Sequence, residues 1–213
     1  MTEKQQQQRR FLAIGDSLTA GYYQYGLAYH PYAKHLEELF AEKNSSVIID
    51  QKGLSGERAV PTMVRRLENI LEKNAASYEC ILILGGTNDI VSPLSAHDIF
   101  NQGLKVMYDT VLQCTPNTSK LVIMTVPQIA LFPPGHEHER KRETLNGMIR
   151  DYANNENKQK RMCLVDLDKA IPFHTMNNTE RDLIWDDGVH LTPAGYDRMA
   201  TTIFDTLTKE LHF

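Results

Sequence analysis

The segment Cys80-Ile-Leu-Ile-Leu84 is apolar at every position. A strand with one wet face alternates apolar and polar residues, so a run apolar on both parities predicts a strand covered on both faces. Phe11-Leu-Ala-Ile14, Val47-Ile-Ile-Asp50, Leu121-Val-Ile-Met-Thr-Val126 and Met162-Cys-Leu-Val-Asp166 supply four more short strand-like runs. Between them apolar residues recur at helical spacing. Tyr32, Leu36, Leu39 and Phe40 follow Pro31, which suits a first helical position. Val64, Leu67, Ile70 and Leu71 follow Thr62 as an expected cap. Ile99, Phe100, Leu104, Met107 and Val111 follow a capping box of Ser95 and Asp98. Leu145, Met148, Ile149 and Tyr152 form a fourth stripe. Tyr196, Met199, Ala200, Ile203, Phe204 and Leu207 form a fifth, behind Thr192 as cap and Pro193. Five strands alternating with five helices predict an α/β protein, one parallel sheet with helices on both faces and right-handed crossovers.

In such a sheet ligands bind outside the carboxyl ends of the strands. The Gly-rich and polar segments all fall there. Gly15-Asp-Ser17 follows the first strand, Gly53 to Gly56 the second and Gly85-Gly-Thr-Asn-Asp89 the third. The Pro-rich loop from Pro127 to Gly135 follows the fourth. A long connection, Leu167 to Leu191, follows the fifth and carries Trp185-Asp-Asp-Gly-Val-His190. Its length alone points to function.

Composition narrows the partners. The 213 residues hold 23 Lys plus Arg against 27 Asp plus Glu, a net charge of -4, which gives no reason to expect nucleic acid or an anionic membrane. The basic clusters Arg9-Arg10, Arg65-Arg66 and Glu139-Arg-Lys-Arg142 read as solvated faces. Residues 1–10 read as a disordered polar tail before a single domain, 11–213. The tail lacks the apolar core of a secretory signal, and no apolar run is long enough to span a membrane, so a cytoplasmic location is expected, with no membrane anchor. Cys80, Cys114 and Cys163 show no metal or redox spacing and read as buried free thiols. The sequons at Asn44, Asn117 and Asn177 would matter only in a secreted chain.

Ser17 after a strand is a turn residue, a phosphate-binding residue or a nucleophile. The chain lacks the G-x-S-x-G elbow, the GxGxxG of a dinucleotide site and the P-loop pattern. A nucleophilic serine needs a base and a carboxylate that orients it. Asp187 and His190, three residues apart, could supply them or could simply make a turn, and Asp186 competes for the carboxylate role. An oxyanion needs fixed donors. The N–H of Gly56 and the side-chain amide of Asn88 suit that task. Tyr22, Ile129, Leu131, Phe132 and Trp185 could line a substrate pocket or merely pack. His136-Glu-His138 has only a superficial metal-ligand spacing with no companion cluster, so it reads as the start of a helix, and no metal is expected.

Gly15-Asp-Ser-Leu18, Leu54-Ser-Gly56, Gly86-Thr-Asn-Asp89 and Asp187-Gly-Val-His190 together resemble the four blocks of the SGNH (GDSL) hydrolase superfamily. The likeness runs in order from residue 11 to about residue 200 and ends in D-x-x-H-L-T. It implies a flavodoxin-like three-layer α/β/α sandwich with a five-stranded sheet, and hydrolysis of a small-molecule ester without metal or organic cofactor. It also implies Ser17 as nucleophile, His190 as base and Asp187 as its partner. The oxyanion donors become Ser17 N–H, Gly56 N–H and Asn88, with Gly53 the alternative to Gly56. Thioesterase, lysophospholipase and carbohydrate acetylesterase activities share the mechanism. A non-catalytic phosphate-binding domain is the rival of another class.

Overall fold

The computed structural model describes residues 8–156 and 160–210. Five parallel strands form the main sheet: β1 (Arg9–Gly15), β2 (Val47–Gly53), β3 (Cys80–Leu84), β4 (Lys120–Met124) and β5 (Met162–Val165). Their order is β2-β1-β3-β4-β5, the doubly wound order whose direction reverses between β1 and β3. The long helices are α1 (Tyr32–Glu42), α2 (Val64–Asn74), α3 (Lys105–Cys114), α4 (Glu137–Glu156) and α5 (Pro193–Glu210). A two-stranded ribbon, Tyr22–Tyr23 with Ala28–Tyr29, stands apart from the sheet.

Alternating strand positions explain the two cores. Phe11, Ala13, Leu82, Leu84, Val122 and Met124 point to the side covered by α1 and α5, where they meet Leu36, Phe40, Tyr196 and Ile203. Leu12, Ile14, Ile81, Ile83, Leu121 and Ile123 point the other way, onto Leu67 of α2, Met107 of α3 and Ile149 of α4. Each large side chain buried this way contributes roughly 1.5–3 kcal/mol relative to exposure. This double coverage is why β3 is apolar throughout.

The register aligns the strand ends that matter. Gly15 of β1 pairs with Gly53 of β2 and with Leu84 of β3. The residues after each, Asp16-Ser17, Leu54 to Gly56 and Gly85 to Asp89, therefore emerge side by side.

Several local expectations shift. Arg9 and Arg10 belong to β1, opposite Val47 and Ile48, and are not part of a tail; residues 1–7 lie outside the described residues. Arg9 donates to both oxygens of Glu79, and Arg10 to Asp50 at 2.6 Å. Arg142, read as solvated, is 2% exposed and pairs with buried Glu139. Pro31 is the residue before α1 and not its first residue. Thr62 does not cap α2. It sits in a wide turn, Ala59–Met63, whose N–H groups at Ala59 and Val60 are accepted by the buried Asp89 carboxylate. The Ser95/Asp98 capping box and the Thr192 cap form as expected. The 167–191 connection contains two short helices, Leu167–Ala170 and Asn178–Ile184. Cys80 and Cys163 are buried, but Cys114 is exposed.

Candidate active site

Ser17 opens a four-residue helical turn, Ser17–Ala20, immediately beyond β1. Asp16 starts the turn, its Oδ1 accepting the Leu18 N–H at 3.0 Å. Asp16 is fully buried, and this burial pushes its carboxyl up to about 6, against the opposing effect of the Leu18 hydrogen bond. Neither its Oδ2 nor the Thr87 hydroxyl has a hydrogen bond of normal geometry, although Thr87 acts to lower the Asp16 value. Close packing of the turn needs the glycine at the end of β2. A Cβ on Gly53 would stand 2.1 Å from the Ala20 nitrogen.

His190 arrives from the far edge of the sheet, on the turn after the Asn178–Ile184 helix. Its Nε2 lies 2.9 Å from Ser17 Oγ, and its Nδ1 lies 2.7 Å from Asp187 Oδ2. The other Asp187 oxygen accepts the N–H groups of Val189 and His190 at 3.0 and 2.8 Å. Burial alone would raise the Asp187 carboxyl. The His190 ring and these two backbone donors outweigh it and hold the carboxyl below its ordinary value. Asp186 faces elsewhere, with its Oδ2 accepting the Gln24 N–H of the Tyr ribbon at 2.7 Å. The geometry thus distinguishes the two neighbouring carboxylates.

Gly56 lies in an exposed turn with φ of +79°, a left-handed conformation that favours glycine, and a Cβ there would meet no atom within 4 Å. Asn88 lies in a helical turn, Thr87–Asp89, beyond β3. One hydrogen of its Nδ2 goes to the Glu57 carbonyl at 2.9 Å, leaving the second for a ligand. Leu54, Gly56, Val60 and Pro61 line a groove of about 560 Å³ along this side.

The remaining expected residues divide. The Tyr22 ring packs 4.4 Å from the His190 ring, centroid to centroid. Leu131 is 77% exposed, whereas Ile129 is buried. Phe132 is half-buried and stacks on His136, with His138 edge-on, so the His-Glu-His run builds an aromatic cluster at the start of α4. Trp185 belongs to the core. It is 4% exposed and packs edge-to-face on Phe173 in the core beneath the turn. The loop after β4 is tied down on both sides: Ala130 N–H donates to Gly188 O at 2.8 Å, and Gln128 Oε1 accepts the N–H groups of Phe173 and His174.

Ser17, His190 and Asp187 are hydrogen-bonded in sequence across 173 residues of chain, beside two candidate oxyanion donors. The sequence model of the GDSL-like Lipase/Acylhydrolase family matches residues 13–198, a span that takes in every one of these residues. The chain belongs to the GDSL-like lipase/acylhydrolase family. This GDSL-like protein is a hydrolase acting on ester bonds. The lipase/acylhydrolase from Enterococcus faecalis is similar in fold, at TM-score 0.73 and 19% identity over 94% of this chain and 96% of that one. The native aryl esterase of M. smegmatis has TM-score 0.70 at 18% identity, covering 95% and 99%. A carbohydrate acetylesterase family member from Sinorhizobium meliloti has TM-score 0.72 at 17% identity, covering 96% and 100%. No curated protein matches in sequence. Among the described residues no helix of this hydrolase is long and apolar enough to cross a membrane.

Sequence reasoning missed two features beside the candidate site, the Ala130–Gly188 bond and Arg66, which donates to the carbonyl of Gly15 and to Glu57. The Ala130–Gly188 contact runs between backbone atoms, so side-chain identity carries no signal for it. Arg66 did leave a signal, a cation in the first turn of a helix, where positive charge is disfavoured.

Proposed function

We propose that this hydrolase is a serine esterase working through an acyl-enzyme, with Ser17 as nucleophile, His190 as general base and Asp187 as the carboxylate that orients it. The observation that carries this reading is the unbroken relay from Asp187 Oδ2 to His190 Nδ1 and from His190 Nε2 to Ser17 Oγ, at 2.7 and 2.9 Å. Asp187 stays ionised through the neutral range, because its carboxyl is held low. It fixes the tautomer in which Nδ1–H donates to it, so Nε2 is free to accept the Ser17 proton.

In the first half-reaction Nε2 takes the proton as Oγ bonds to the ester carbon, and the carbonyl electrons move onto oxygen. The N–H groups of Ser17 and Gly56 and the Asn88 amide donate to that oxyanion. Collapse breaks the bond to the leaving oxygen, which receives the proton from His190 as an alcohol. Water then enters, gives its proton to Nε2 and attacks the acyl carbon, and Ser17 leaves reprotonated with release of the acid. Tyr22, packed on the His190 ring, supports the orientation of the imidazole in both half-reactions.

The test is hydrolysis of p-nitrophenyl acetate with fluorophosphonate labelling. Ser17→Ala is expected to lower kcat by about 10⁴ or more, to abolish labelling and to leave the thermal midpoint near that of the wild type. Full activity in that variant would overturn the mechanism.

A further inference from the structure

Arg66 stands in the first turn of α2, against the partial positive charge of the helix end, and its guanidinium is almost fully engaged. Nη1 donates to Lys52 O at 2.7 Å and Nη2 to Gly15 O at 3.1 Å. Nε donates to the two oxygens of Glu57 at 3.0 and 3.1 Å, and Nη2 makes a further short bond to Glu57 Oε2. The Glu57 side chain is 4% exposed.

The positions of these acceptors give the arrangement its meaning. Gly15 ends β1, two residues before Ser17. Lys52 is the penultimate residue of β2. Glu57 follows Gly56 directly, and its carbonyl accepts the Asn88 amide. One planar cation therefore ties together the backbone segments that carry the Ser17 N–H and the Gly56 N–H, and through Glu57 it reaches the residue that anchors Asn88. Among the described residues, a backbone bond from Leu54 N–H to Gly15 O joins the first two of these segments, and the Arg66–Glu57 pair extends the connection to the third. The Gly56 turn is closed by Glu57 N–H to Leu54 O at 3.1 Å and joined to β1 by Leu54 N–H to Gly15 O at 3.0 Å, and a Cβ on Gly56 would meet no atom within 4 Å, so side-chain packing adds nothing at that position.

We propose that Arg66 and Glu57 form a positioning pair that sets the geometry of the oxyanion hole, a role resting on the reading of Ser17, Gly56 and Asn88 given above. Neither side chain touches the reacting atoms. The pair acts by keeping three donors converged, and a lysine cannot replace the arginine, because an ammonium lacks the rigid fork that reaches three acceptors in one plane. A donor displaced by about 1 Å costs up to about 10²-fold in rate.

The test compares Arg66→Lys and Glu57→Gln with the wild type on p-nitrophenyl acetate. Each variant is expected to lose about 10–100-fold in kcat with KM within about twofold, the signature of an interaction made mainly in the transition state. The acid limb of the kcat/KM profile should stay in place, since the pair does not touch His190, and the thermal midpoint should move by only a few degrees. Wild-type kcat in both folded variants overturns the proposal. So does a loss carried by KM, or one that shifts the acid limb as a general loosening of the site would. If Arg66→Lys fails to fold, Glu57→Gln decides alone. A wild-type chain that does not turn over the ester, or a Ser17→Ala chain that does, overturns the reading of Ser17 and the clamp with it.

Discussion

Asp16 and Ser17 are adjacent and both buried, yet they carry opposite consequences for the molecule. The Asp16 carboxyl, at about 6 in the folded chain against an ordinary value of 3.8, is raised mainly by burial. Between those two values the native state holds a proton that the unfolded chain has released, so the Asp16 contribution to stability falls as pH rises from about 4 to about 6 and is constant above. Asp16→Asn removes that titration while keeping an oxygen for the Leu18 N–H. The variant should be more stable than wild type by about 2–3 kcal/mol at pH 8 and equal to it near pH 4. Urea denaturation at the two pH values measures this, and an equal gain at both would show that charge burial is not the cause. At Asn88 the consequence is kinetic. Asn88→Ala should lower kcat by about 10²–10³-fold, roughly 3–4 kcal/mol of transition-state stabilisation. Single-substrate kinetics with a melting curve would separate this from unfolding.

Among the elements, α4 holds the loop after β4 in place through polar contacts. Asn146 grips Val126 from both sides, its Oδ1 accepting the Val126 N–H and its Nδ2 donating to the Val126 carbonyl. Arg142 adds a bond to the same carbonyl, pairs with both Glu139 oxygens and reaches Asp168 at 2.6 Å. Burial works against the Arg142 charge, but Glu139 and Asp168 more than offset it and raise its pKa above the ordinary value. Arg142→Ala would strand Glu139 without its cation inside the protein. A loss of about 3–5 kcal/mol is expected, read as a lower urea midpoint. A change under about 1 kcal/mol would mean that Glu139 finds another partner or takes up a proton. The cluster Glu139 to Arg142 looked like a solvated face because four charged residues in a row normally are. Two helical positions, 139 and 142, lie on one side and turn inward together, and charge composition cannot register that.

For the molecule as a whole, the architecture was legible because strand periodicity and strand-end chemistry are both local. β3 shows its double coverage in five letters, and every Gly-rich segment follows a strand. The order β2-β1-β3-β4-β5 was not legible in the runs themselves and comes from the pairings of the sheet. The candidate site was legible as residue types: Ser17, Asp187 and His190 were named, and the structure brings them within hydrogen-bonding distance. What stayed hidden depends on contacts between segments far apart in sequence. Thr62 satisfied the local rule for a cap, but Asp89, 30 residues from the Ala59 whose N–H it accepts, supplies the carboxylate that the turn uses. Trp185 sits beside the His190 turn in sequence, but its ring is taken up by Phe173 in the core. The hydrogen bond between Ala130 and Gly188 belongs to the same class. It joins the loop after β4 to the turn bearing Asp187 and His190. On the mechanism proposed above, a graft that lengthens that loop is expected to pull on the turn that aligns His190 with Ser17, read as a fall in kcat on p-nitrophenyl acetate. Under that reading a change of loop length after β4 calls for a compensating change in the 186–190 turn.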